Sequence, residues 1–355
     1  MVRSESSSPS ALTAATRLQV VDDAKGALIV LVVLGHFLAT FSGWEDASAK
    51  HALAAIYLFH MPGFVFLAGI TATLERRIRR ACSLILILVT FQILYAAPHV
   101  VLEGAYPTDI LRPFWILWFL LSLVFWNLSL PLIERVKGAL WWSSALAIAC
   151  GLLSFLDYRL SAGRTFAFLP FFVWGYLHGR KTLEVVSRVG FSAKPLLLFL
   201  LALAGWGFSL SDLNHRWLHG ALGFNTLNAA PVAGLLIRLL LLVVSGVCLL
   251  AFLGVIGGQK RSGLLSMIGR RSLAIYLFHG FFVIVINKVS SGVEMGSGSL
   301  FMISISATAF TVAILAHPWW TILVKDYSER VTTYIWDNVR LSIRHVYGRA
   351  GGLDR

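Results

Sequence analysis

The sequence predicts an all-α, polytopic membrane protein with about ten transmembrane helices and both termini in the cytoplasm. Three observations carry this prediction. The 355-residue chain is 57% hydrophobic and only 13% charged, roughly half the charged share of an ordinary soluble domain. Long apolar runs recur along nearly its whole length. Its Lys and Arg residues gather in alternate loops, which is how a membrane chain marks its cytoplasmic side.

The runs fall near residues 26–43, 53–73, 82–98, 115–133, 139–156, 166–177, 195–210, 231–256, 272–286 and 299–323. A crossing helix needs about 20 residues. The sixth and ninth runs are shorter as they stand and must recruit their flanks. Trp115 and Trp118 give the fourth run an aromatic anchor. With the N-terminus inside, the cytoplasmic segments hold 23 of the 30 Lys and Arg residues. The external segments hold Lys50, Arg112, Arg159, Arg164, Arg216 and Lys288, and Arg238 lies inside the eighth run. The cluster of Arg76, Arg77, Arg79 and Arg80 is read as a determinant of topology. The net charge of +13 therefore reports orientation, and no nucleic-acid partner is expected.

Three segments follow. Residues 1–16 are polar, lack the apolar core of a signal peptide and are expected to form a disordered cytoplasmic tail. Residues 17–325 form the membrane domain. In 326–355, Val331, Ile335, Val339 and Val346 alternate with Arg330, Arg340 and Arg344, so a basic amphipathic helix on the inner leaflet is expected. Cys82, Cys150 and Cys248 all lie in apolar runs, and neither a disulfide nor a cysteine metal site is expected. No internal repeat of the transporter kind is visible.

Ionisable groups inside a membrane are costly and default to function. No Asp or Glu lies within any of the ten runs; His36, His60, His279, His317 and Arg238 do. Histidine is the side chain best suited to base chemistry near neutral pH. His36 follows Lys25 by eleven residues, which at helical rise puts it roughly 16 Å in, near the midplane. His279 falls roughly 12 Å from Arg271, and His60 roughly 22 Å from Glu75 in the outer half. His36 and His279 are thus placed to meet. A single intramembrane histidine also serves simply as a hydrogen bond between helices, and His317, followed by a Pro318 expected to kink the last run, is the weakest candidate. Arg238 is expected to snorkel or line a cavity.

Five stretches then acquire a meaning together: DAKGALIVLVVLGH (23–36), YLFHMPGFVFLAGI (57–70), PFWILWFLLSL (113–123), RTFAFLPFFVWGY (164–176) and IGRRSLAIYLFH (268–279). In this order they resemble the membrane-bound acyltransferase-3 family, in particular its fucose 4-O-acetylase-like, polysaccharide O-acetyltransferase branch. The resemblance implies transfer of an acyl group, usually acetyl, from cytoplasmic acyl-CoA to a hydroxyl of a carbohydrate or glycolipid. It implies no bound cofactor; acetyl-CoA or another acyl-CoA is the donor substrate. Lys25 and His36 match the family's basic residue eleven positions before an essential histidine. Asp22, Lys25 and Gly26 match the start of the first span, and Phe59, His60, Met61 and Pro62 match the second. Gly63, Ala68 and Arg271 depart from the family pattern; the two small residues suggest room for a longer acyl chain.

The residues expected to act are therefore His36, His60 and His279 in catalysis, Asp22, Lys25 and Arg271 at the donor, and Trp118 and Arg164 at the acceptor. The external segment 211–230 is a further acceptor candidate, or an ordinary connector. His36 is either a general base or a carrier of the acyl group. The setting is the cell membrane, with lipids as neighbours. Two rivals remain. A glycolipid transporter or flippase would need no chemistry, although coupled transport lacks its usual carboxylates here. A haem or metal protein would use His36, His60 and His279 as ligands, yet their spacing is not paired and no Cys or carboxylate supports them.

Overall fold

A chain in hydrocarbon has no water to satisfy its peptide groups, so long apolar runs close their hydrogen bonds as helices. In the computed structural model, which describes residues 14–103, 109, 111–257, 263–290 and 296–350, they do so throughout, and no strand occurs among the described residues. The helices are α1 (Ala14–Phe41), α2 (Ala47–Ile70), α3 (Arg77–Glu103), α4 (Trp118–Leu128), α5 (Leu130–Arg135), α6 (Ala139–Ala149) and α7 (Ala162–Val186). They continue as α8 (Lys194–Leu210), α9 (Arg216–His219), α10 (Pro231–Ile256), α11 (Gly263–Arg270), α12 (Ser272–Ser290), α13 (Ser297–Leu315) and α14 (Pro318–Ala350).

Seven stretches are long and apolar enough to cross a membrane: Leu18–Phe41, Ala49–Ile70, Arg77–Ala97, Phe191–Leu210, Pro231–Ile256, Ser272–Val289 and Ser297–Leu315. The short sixth run does recruit its flanks, because α7 extends over 25 residues. The fourth and tenth runs are not single helices. Residues 113–117 form turns, α4 begins only at Trp118, and a break at Ser129 precedes Pro131 of α5. Pro113 and Pro131 remove amide donors at both ends of that run. Pro318 does more than kink the tenth run: α13 stops at Leu315 and α14 starts afresh.

α14 then packs along α3. The Ser83 and Ser328 hydroxyls are hydrogen-bonded, Thr90 Oγ1 lies 2.7 Å from the Tyr327 hydroxyl, and Arg79 donates to Thr333 at 3.2 Å. The amphipathic side chains expected at Ile335, Val339, Arg340, Arg344 and Val346 lie outside the described side chains. The expected N-terminal tail lies outside the described residues up to 13, and residues 14–16 already belong to α1.

α1 and α2 occupy the centre of the bundle. α2 packs on α7, α8, α1 and α10, and α1 packs on α11, α13, α2 and α12. Two crossings depend on missing side chains. A Cβ on Gly269 would sit 1.8 Å from the Asp22 carbonyl oxygen, and one on Gly175 would sit 2.0 Å from that of Phe66. Helices without a hydrophobic force between them pack through such small residues. Outward faces such as those of Trp141, Trp142, Val232 and Leu236 stay exposed, as lipid-facing side chains do.

Candidate active site

α1 and α12 pack side by side, and their contact brings two predicted histidines together. His36 Nδ1 lies 2.7 Å from His279 Nε2, and the two rings are nearly coplanar, at 6°. Hydrogen-bond logic fixes the protons. His279 Nδ1 lies 2.8 Å from the Tyr276 carbonyl and 3.1 Å from that of Ile275. Carbonyls only accept, so Nδ1 carries the hydrogen and Nε2 of the neutral ring is an acceptor. His36 must then donate from its own Nδ1, which leaves the lone pair on His36 Nε2. The same reasoning applies to His60, whose Nδ1 lies 2.8 Å from the Ile56 carbonyl. All three rings are thus held by backbone or by each other, and each has an assigned tautomer. The 2.7 Å contact is a hydrogen bond, and two nitrogens so engaged are not a ligand pair for a metal at about 2.0 Å from each.

His36 and His60 face a cavity of about 110 Å³ that also has Trp118, Arg164, Tyr57 and His219 in its wall. Both predicted acceptor residues are therefore here, and they touch: the Arg164 guanidinium lies 4.8 Å from the Trp118 ring centre and 5.2 Å from that of Tyr158. Arg164 Nε is buried without a hydrogen-bond partner. Among the described residues, no carboxylate lines this cavity. The turns at 113–117 supply another wall. The Trp115 ring packs 4.7 Å from that of His36, and the Tyr276 hydroxyl donates to the Ile116 carbonyl. Irregular backbone is tolerated at this depth because it is buried in protein and lines a cavity. Arg164 enters from a tight turn in which Leu160 and Ser161 adopt left-handed φ of 49° and 52°. That conformation costs about 1–3 kcal/mol per residue. The turn is braced from outside, where Arg159 donates to Asp109 at 2.6 Å and holds its carboxyl below the usual carboxylate range.

The segment 211–230 is more than a connector. It folds back onto the bundle through Trp217, Leu218 and Phe224, and the buried Arg238 guanidinium anchors it by donating to the Leu222 carbonyl at 3.2 Å. Arg238 is therefore buried and, as one of its two expected roles, lines a small cavity with Trp217, Leu218 and Gly220. The short helix α9 in this segment carries His219 into the cavity. A file of rings leads there from outside: Trp44 stacks on His215 at 4.7 Å, His215 meets His219 at 5.6 Å, His219 meets Tyr57 at 5.7 Å, and Tyr57 meets His60 at 4.8 Å. Burial, with Arg164 and His215 nearby, pushes His219 down to about 3. His219 is neutral at ordinary pH and able to accept a hydrogen bond.

A second cavity, of about 850 Å³, opens on the basic side. Lys25, Arg76, Arg79, Arg80 and Lys325 line it, with an apolar wall that includes Phe64, Leu84 and Phe119. Three of the four arginines read as topology determinants thus line this cavity, and Arg77 does not. Lys25 is where the sequence predicted a donor-side cation. Asp22 and Arg271 are not in the lining. Arg270 lies 3.9 Å from the Asp22 carboxylate, and Asp22 sits eight residues inside α1. Arg271 instead donates to the Ala316 carbonyl at the end of α13. His317, exposed in the break before α14, is not a buried histidine. Gly63 opens no room either: a Cβ there would meet Leu28 at 2.9 Å.

Sequence reasoning missed His219, Tyr57, Trp115 and Lys325. Tyr57 precedes His60 by one helical turn and so shares its face, a signal that was present. His219 carried none, because only the fold-back of its segment brings it to the site. No curated protein and no solved structure matches the chain. Residues 20–318 match the acyltransferase domain that defines the acyltransferase-3 family. That stretch contains the histidines of the small cavity and Lys25, Arg76, Arg79 and Arg80 of the basic one, and the chain is a multi-pass membrane acyltransferase belonging to this family.

Proposed function

We propose that the protein moves an acyl group, acetyl in the first instance, from cytoplasmic acyl-CoA to a hydroxyl of a cell-envelope carbohydrate or glycolipid. The observation that carries the reading is the position of His36. His36 lines a small cavity of rings and hydrogen-bonding groups with its Nε2 free of the His279 contact, and that cavity shares Met61 and Tyr276 with a wide basic one. Lys25, Arg76, Arg79, Arg80 and Lys325 hold the CoA phosphates, as basic side chains do for phosphate generally. The pantetheine arm runs inward past Phe64 and Phe119. Trp118 stacks against the acceptor sugar, while Arg164 and His219 bind its hydroxyls.

His36 acts as the general base. Its Nε2 takes the acceptor hydroxyl proton as the oxygen attacks the thioester carbonyl. The new C–O bond forms, the C–S bond breaks, and the same proton passes to the departing CoA sulfur. No proton is gained or lost overall, so no proton path to either face is needed. His279 accepts the His36 Nδ1 hydrogen throughout and steadies the imidazolium, the role a carboxylate plays in other triads. His60 presents Nε2 to the same cavity and orients the acceptor.

The test uses membranes of the native host, which contain the acceptor whatever its identity. Radiolabelled acetyl-CoA is added, and label is counted in the carbohydrate and lipid fractions. Wild-type membranes incorporate label, and His36→Ala lowers the rate by about 10²–10⁴-fold with the protein still inserted. Equal incorporation by the variant would refute the reading. Movement of a glycolipid across the membrane with no label transferred would favour a flippase.

A further inference from the structure

We propose that Met61 and Tyr276 form a partition between the two cavities that selects the acyl chain by length and admits a short one to His36. The inference rests on the acyl-transfer reading above and adds what decides the donor. Among the described residues, Met61 and Tyr276 are the two that line both the 850 Å³ basic cavity and the 110 Å³ histidine cavity. Any acyl group that travels from one to the other passes between them.

The two sides of the opening differ in stiffness. Tyr276 is fixed. Its hydroxyl is bonded to the Ile116 carbonyl, its ring meets the Phe119 ring edge-on at 5.8 Å, and it is buried. Its carbonyl also holds His279 Nδ1, so moving this residue would disturb the catalytic tautomer. Met61 is adjustable. It is half-buried, directly follows His60, and carries an unbranched thioether with several rotatable bonds. The opening therefore has one rigid and one yielding side.

The size of the inner cavity sets the limit. At about 110 Å³ it is several times smaller than the basic cavity of about 850 Å³. An acyl group of two or three carbons beside an acceptor hydroxyl uses that space, and a long chain does not fit. The wide cavity imposes no such limit. Ala68 faces the wide cavity and Gly63 is filled by Leu28 and Leu249, so neither small residue selects the chain. Selection falls to the residue next to the second-span histidine.

The experiment uses host membranes carrying the wild-type chain, Met61→Ala or Met61→Trp, each given labelled acetyl-, propionyl-, butyryl- or hexanoyl-CoA. The wild type is expected to favour acetyl, with a steep fall by butyryl. Met61→Ala raises the butyryl-to-acetyl ratio by about tenfold or more, the scale on which methylene groups are discriminated. Met61→Trp loses transfer while the purified protein still binds acetyl-CoA by calorimetry, which separates closure of the opening from misfolding. A wild type that transfers hexanoyl as fast as acetyl overturns the inference, as does an unchanged chain-length profile in Met61→Ala. If wild-type membranes incorporate no more label than His36→Ala membranes, the acyl-transfer reading itself fails, which is a separate result.

Discussion

The two cavities share α1, α2, α4 and α12 yet have different chemistry, with α3 and α14 walling one and α7 and α9 the other. The basic one is wide, open to one side and lined by five cations. The histidine one is small, has Arg164 as its one Arg or Lys among the described residues, and lies beneath the folded-back segment 211–230. On the proposed function, this contrast suits one bundle to two dissimilar substrates. A phosphate-bearing donor needs charge, which at a solvated rim costs little to keep exposed. A sugar hydroxyl needs aligned acceptors and aromatic faces, which work best where water is excluded.

The largest effect is expected at the His36–His279 pair, whose His36 lines the small cavity. His279→Ala removes the acceptor for the His36 Nδ1 hydrogen and lets the ring change tautomer. The expected result is a loss of about 10²–10⁴-fold in turnover, with acyl-CoA KM little changed. His279→Gln keeps an acceptor oxygen and is expected to recover part of that loss; a residue needed only for packing would show no such rescue.

A smaller and more diagnostic effect separates the cavities. Arg79→Ala with Arg80→Ala raises the acyl-CoA KM by about tenfold or more, since charge-assisted hydrogen bonds contribute about 1.5–3 kcal/mol each. The acceptor KM stays put. His219→Ala does the reverse, raising the acceptor KM by about two- to tenfold, in line with a neutral hydrogen bond, and leaving the donor unaffected. Steady-state kinetics with each substrate varied in turn checks both. Crossed effects, with His219→Ala shifting the donor KM, would erase the distinction between the cavities.

Much of this arrangement was legible in the sequence. The eleven-position separation of Lys25 and His36 set them on the walls of different cavities, and counting along the helices brought His36 to His279. Trp118 and Arg164 were found from their motifs. The rest depended on information that spacing does not contain. Which way a side chain turns at a helix end decided that Arg79 and Arg80 line the basic cavity while Arg271 reaches the Ala316 carbonyl. The fold-back that delivers His219 is driven by Trp217 and Phe224 packing against Arg238, a contact between distant segments. Hydropathy read 115–133 as one span because the residues of its unwound first turns are themselves apolar. Pro113 was the one local sign of the break.

The central claim is that donor and acceptor reach His36 from opposite faces of the membrane. Acyl-CoA does not cross bilayers, so sealed host vesicles of each orientation test it directly. The account predicts that labelled acetyl-CoA added outside inside-out vesicles is transferred to the envelope acceptor. The same addition to right-side-out vesicles gives no more label than His36→Ala until the membrane is permeabilised. Equal transfer in both orientations, or transfer only in right-side-out vesicles, would contradict it.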